Sequence, residues 1–344
     1  MKKLVYLLFI CFLFYGCQDT EELETSNSKL AKPSSANTWQ PTGFIGSQGR
    51  YSSTSFSIGD KGYLMMGFLK DVWEFDPASG KWTRKADFPG AARAWTFSFV
   101  IGNKGYIGGG WIGGAETYSP FREFWEYSPA NDTWTKKADY PGKGVRGAVG
   151  FSIGGEGFAG TGYGKVMTEI PADEDEQYQN DFWKYNPSTD TWKKIANFPG
   201  CPRAFSTAFV IDEFAFVGTG TTHASRNDNT KDFYKYSPAT NSWTRIADFA
   251  GDERAFLVSF SINGKGYAGT GRGVPYPVSY GPTEEYNDFW EYNPATNKWT
   301  QKADFGGGNR LWATGFAIRN KGYIGTGAFE WDVYKNDFWE YSPD

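Results

Sequence analysis

At 344 residues the chain is longer than one ordinary domain, and 19% aromatic residues together with 43 glycines suit short strands and tight turns, with no convincing amphipathic helix in the mature part. A formal net charge of −4 excludes the basic footprint of a nucleic-acid-binding surface. Three cysteines, one of them in the leader, exclude a disulfide framework.

The N-terminus is expected to be an export address. Lys2 and Lys3 precede an apolar run from Leu4 to Tyr15, too short for a membrane-spanning helix but of a length suited to a secretory leader. Gly16 then precedes Cys17, and FYGC resembles the lipobox of bacterial lipoproteins, in which the cysteine is lipidated and becomes the first mature residue. Phe14 and Tyr15 depart from that pattern, which keeps plain secretory cleavage as the alternative. Residues 1–16 are thus expected to be a signal peptide and 17–36 a polar, flexible tether. The acidic run after Cys17 resembles a surface-export signal, so the expected location is the outer membrane or cell surface, with the periplasm as the alternative.

From about residue 37 the chain repeats itself six times. Each module runs from an arginine (Arg50, Arg93, Arg146, Arg203, Arg254, Arg310) through a KGY-like phrase, a variable stretch, NDFWEY, a proline turn, NxWT and ADFPG. Four apolar or alternating runs separated by Gly, Asn, Asp and Pro predict four antiparallel strands, a to d, and such units repeated about an axis make a propeller. The glycine doublets after strand b, with the recurrent Tyr and two Trp, resemble the kelch repeat. That resemblance covers about 305 residues and implies an all-β, six-bladed kelch-type β-propeller over residues 37–344. The last module stops after strand c, while NTWQPTG at 37–43 is a d strand without a blade. The first strand is therefore expected to complete the sixth blade and close the ring, removing two open edges.

In an antiparallel meander the short a–b and c–d turns share one face, and the long, variable b–c loops share the other with the d–a connections. Binding is expected on the b–c face. The six arginines begin there, near the axis; they either form a cationic funnel for a carboxylate or phosphate, or pair with neighbouring acids such as the Asp of ADF. Trp111, Tyr118, Tyr163, Tyr178, Tyr276, Tyr280, Trp331 and Tyr334 fall in the variable loops, where they either stack on sugar rings or pack the loops; Trp134 and Trp192, by contrast, are repeated and belong between blades. Asp173 to Glu176 form an acidic run without the spacing of a calcium loop.

For catalysis the inventory is thin. His223 is the sole histidine, which excludes a His-rich metal site and the two-His copper centre of galactose oxidase, a fellow kelch fold; no cofactor is expected. Cys201 is expected to be a buried, inert thiol. The architecture also looks like that of six-bladed sialic acid mutarotases, which need a general acid and base beside a carboxylate-binding Arg; Glu169, Glu284, Glu285 and Glu330 are the loop acids available. The leading expectation is a lipid-anchored, monomeric propeller that binds a glycan or protein without catalysis. An N-acetylneuraminate mutarotase and a scaffold in an envelope complex are the alternatives.

Overall fold

The six repeats set the fold through alternation and glycine. In STSFSI, the first inner strand, Thr54, Phe56 and Ile58 are buried and their neighbours are not, whereas KGYLMM beside it is buried at every position after the lysine. A strand covered on both faces must be flanked by sheets on both sides, and the outer KWTRK, with no fully buried residue, ends the stack. The structure is a computed structural model that describes residues 36–46, 48–113, 120–142, 144–164, 178–222, 229–273, 284–330 and 333–344. The leader, Cys17 and nearly all of the tether lie outside the described residues.

Six four-stranded antiparallel sheets form, each with its strands in order from axis to rim. In blade 1 these are Ser53–Ile58, Lys61–Met66, Val72–Asp76 and Lys81–Lys85. Blade 6 takes its outer strand from the other end of the chain: Thr38–Phe44 pairs with Asp337–Ser342, Trp39 opposite Tyr341. The closure expected from the sequence is thus present. This is an all-β, six-bladed β-propeller.

The core lies between blades rather than within them. One cluster joins Phe97, Phe99 and Phe124 of blade 2 to Tyr185 and Trp192 of blade 3, and equivalent clusters recur around the ring. The KGY glycine makes this approach possible: a Cβ on Gly105 would meet the Phe56 ring of the previous blade at 2.2 Å. Outer strands are tied by the residue two before the NxW tryptophan. Asp132 Oδ1 accepts from Ala86 N of the previous blade (2.9 Å) and from Tyr127 Oη (2.7 Å), while Trp134 Nε1 donates to Ala86 O (3.2 Å). Asn37 makes the same bonds to Ala303 N and Tyr341 Oη, which makes the first strand an ordinary member of its blade.

Candidate functional site

Five of the six repeat arginines are consumed by the fold. Arg50 grips Asp71 with both terminal nitrogens (2.7 and 2.6 Å), Arg203 grips Asp232 (2.6 and 2.9 Å) and Arg310 grips Asp337 (2.8 and 3.1 Å); Arg254 holds Asp288 in the same way and Arg93 holds Glu123 (2.6 Å). All five are at most 2% exposed. The acid is the one preceding FW in strand c, not the Asp of ADF, which corrects that part of the sequence reading. Each guanidinium also donates to a main-chain carbonyl, at Met66, Gly109, Thr219, Thr270 or Thr326. Burial disfavours the charge on Asp71, Glu123, Asp232 and Asp337, yet the bonds from arginine outweigh it and hold these carboxyls below their usual range. These five therefore do not line a cationic funnel.

Blade 3 departs from the pattern. The carbonyl of Arg93, Arg203, Arg254 and Arg310 each accepts from a backbone N–H at the neighbouring blade's glycine corner, at Phe68, Gly162, Gly220 and Gly271; the equivalent bond in blade 3 runs from Gly110 N to Val145 O (2.7 Å). Val145, not Arg146, holds the arginine's place. In extended chain a one-residue shift turns a side chain to the opposite side. Arg146 consequently leaves the inter-blade core and lies half-buried among three aromatic rings, 5.5 Å from the centroid of Trp95, 4.8 Å from Trp111 and 4.7 Å from Tyr163. Trp95 and Trp111 themselves stack at 5.3 Å and 13°.

The sequence carries this shift, although its motifs were read without it. Eleven positions lead from the NxW tryptophan to the arginine in five modules, as from Trp192 to Arg203, but twelve lead from Trp134 to Arg146.

A second feature was missed altogether. Two residues beyond each paired arginine, and one beyond Arg146, the chain turns through positive φ at Ser52, Trp95, Gly147, Phe205, Phe256 and Trp312. Backbone bonds link successive members, Gly147 N to Trp95 O (2.9 Å), Phe205 N to Gly147 O (2.8 Å) and Phe256 N to Phe205 O (3.1 Å), so these residues form a collar around the axis. Its rings touch: Phe205 lies 4.4 Å from Phe256 and 5.7 Å from Trp95. The collar surrounds an axial cavity of about 170 Å³. Gly147 cannot be replaced cheaply here, because its φ is +64° and a Cβ would meet the Phe205 ring at 2.5 Å.

The remaining candidates fall into two groups. Tyr163 and Tyr178 pack edge to face at 5.2 Å, beside Arg146, and Tyr334 is 45% exposed while stacking on Tyr51 at 4.7 Å. In blade 5, fully buried Arg272 bridges its backbone to Ala255 and Glu285. Glu285 Oε1 is buried with no hydrogen-bond partner among the described residues, and burial first, with Glu330 adding, pushes its carboxyl above the ordinary range against the pull of Arg272. Glu284 accepts from Tyr286 Oη (2.8 Å), and Glu330 is exposed and donates its N–H to Glu285 (3.3 Å). Cys201 is exposed rather than buried, since its loop offers only a carbonyl inward, to Arg203 Nε (3.0 Å). Tyr118, Glu169, Asp173 to Glu176, His223, Tyr276, Tyr280 and Trp331 lie outside the described residues. Among the described residues no group of three or more His, Cys, Asp or Glu is placed to hold a metal ion.

The fold and site define a class, the six-bladed β-propeller with a cavity at its axis. A Kelch motif matches residues 173–199. In fold the chain is similar to the solved structure titled "Structure of YjhT", with a TM-score of 0.73 and 17% identity over 85% of this chain and 94% of that one. In sequence it is similar to N-acetylneuraminate epimerase of Shigella boydii serotype 4 and of Escherichia coli K12, and to N-acetylneuraminate epimerase 2 of Escherichia coli O6:H1, each 35% identical over 109 residues. That stretch is 31% of this chain and 29% of each relative.

Proposed function

We propose that the propeller binds a carboxylate-bearing sugar of the N-acetylneuraminate class at the loop-face mouth of its axial channel. One observation carries this reading: the single-residue shift in blade 3 takes one repeat arginine out of the core and holds it, half-buried, in a cage of Trp95, Trp111 and Tyr163. A guanidinium recognises a carboxylate through two parallel hydrogen bonds, and aromatic faces suit the apolar side of a sugar ring. The named sugar of the partly matching relatives supports the choice of ligand class. Calorimetric titration with N-acetylneuraminate and its methyl ester tests the reading: the acid should bind, the ester should bind at least about tenfold more weakly, consistent with loss of one charge-assisted pair. Equal affinities would sink it.

Glu285 favours a second reading, in which bound sugar is also interconverted between anomers. A carboxyl kept protonated more readily than usual, with one oxygen unengaged, is suited to hand a proton to the ring oxygen as its bond to the anomeric carbon breaks and water takes the anomeric hydroxyl's proton; the reverse transfers close the ring on either face. Anomer exchange followed by NMR decides between the two: acceleration lost in Glu285→Gln while binding persists supports turnover, and no acceleration leaves binding alone. Export with lipidation at Cys17 belongs to the same proposal and rests on the leader sequence; fatty-acid labelling that survives Cys17→Ala would refute it.

A further inference from the structure

The arginine that left the core of blade 3 left its acceptors behind. In all five regular blades the guanidinium meets the strand-c acid and a carbonyl sixteen residues further on; in four it also meets the ring of the preceding ADF phenylalanine, and in three the residue two before the acid. The ring lies at 4.8–5.3 Å in four blades, and the last contact is a ring at 3.7 Å (Phe121), a ring at 3.6 Å (Tyr286) or a hydroxyl at 2.8 Å (Thr230). In blade 3 the same four positions are Asp181, the carbonyl of Thr161, Tyr140 and Gln179. Tyr140 adds a hydroxyl to the phenylalanine ring of four other blades, and Gln179 places an amide where two blades carry a ring and one a hydroxyl.

Three of these groups have a buried side-chain atom with no hydrogen-bond partner among the described residues: Asp181 Oδ1, Tyr140 Oη and Gln179 Nε2. Tyr140 is fully buried, and burial first, with the charge on Asp181 adding, pushes its hydroxyl well above the ordinary range. Trp183 Nε1 donates to Asp181 Oδ2 (2.8 Å), which leaves Oδ1 as the buried oxygen without a donor among the described residues. The amide of Gln179 presents oxygen instead of nitrogen on a half-turn of its last torsion. Val145 supplies neither charge nor donor to this place.

We infer that blade 3 carries a buried site for one monovalent cation, sodium or potassium, held by Asp181 Oδ1, Tyr140 Oη, the Gln179 amide oxygen and the Thr161 carbonyl. Four oxygens with a single negative charge match a hard cation of charge one, and a buried carboxylate oxygen such as Asp181 Oδ1 is unfavourable without a partner. The ion does for blade 3 what the guanidinium does elsewhere, anchoring strand c to the segment before strand a. It thereby steadies the segment from Val145 to Gly147, which carries Arg146.

The test is thermal unfolding of the full chain in chlorides of sodium, potassium and tetramethylammonium at about 0.15 M, where ionic strength is equal and only cation size differs. Ligand binding to the folded state alone predicts a melting temperature about 2–4 °C higher in a small cation. Asp181→Asn should abolish that difference. Tyr140→Phe, which restores the residue of the regular blades, should reduce it if the first variant fails to fold. Val145→Arg should remove the salt difference while raising the melting temperature in all three salts. Equal melting of the wild type in the three chlorides overturns the inference. So does a Lys143→Met variant that loses as much stability as Asp181→Asn irrespective of the salt, because the acid's partner is then the chain's own lysine.

Discussion

Blades 3 and 4 receive the same arginine and put it to opposite uses. In blade 4, Arg203 is 1% exposed, doubly bonded to Asp232 and laid on Phe198 at 4.8 Å; in blade 3, Arg146 is half-buried and lies among the rings of Trp95, Trp111 and Tyr163. One inserted residue between Trp134 and Arg146 separates the two outcomes. A repeat protein can thus convert a structural residue into a recognition residue without changing its identity, by changing its register.

The contrast breaks most visibly at Arg203. Arg203→Met should destabilise the propeller by about 3–5 kcal/mol, because Asp232 is then left buried without its partner. Urea unfolding measures this, and the double variant Arg203→Met/Asp232→Leu should recover most of the loss. A smaller effect is expected from acid. The carboxyls of Asp71, Glu123, Asp232 and Asp337 are held below their unfolded values, so their contribution is complete above about pH 4–5 and is lost as pH falls through their folded values. A pH series of unfolding midpoints should show that slope in the wild type and a shallower one in Arg203→Met. The smallest change in stability belongs to Arg146→Met, below about 1 kcal/mol, as for a partly exposed side chain lying on aromatic rings outside the inter-blade core. Its affinity for N-acetylneuraminate should nevertheless fall about tenfold or more. If Arg146→Met unfolds the protein as readily as Arg203→Met does, the contrast between the blades is void.

Most of the fold was legible because it is periodic. The KGY glycine, the two tryptophans and the Asx before NxW recur because each sits at a contact between blades, and a contact made six times leaves six copies in the chain. The pairing of Thr38–Phe44 with Asp337–Ser342 followed from counting strands alone. The site was legible only in part, for the converse reason: Arg146 acts through an irregularity, and listing six arginines hides the one whose spacing is off. Trp95, Phe205, Phe256 and Trp312 escaped because Ser52 and Gly147 hold the same place in two of the six blades, so the collar has a shared backbone position without a shared residue type. Arg272 and Glu285 escaped as a pair because thirteen positions of variable loop separate them in the chain, although a backbone bridge joins them in space.

The pairing of Thr38–Phe44 with Asp337–Ser342 also bears on the order in which the molecule is made. Synthesis runs from the N-terminus, so the strand that emerges before every other strand of the propeller is the one whose place is built last. Until Asp337–Ser342 exists, Trp39 has neither Tyr341 to pack on nor a blade to complete, and it must be kept from pairing with the other exposed edges that appear meanwhile. Completion of this ring is a single late event rather than the sum of six earlier ones, and a chain interrupted anywhere before it is left with both of its edges open.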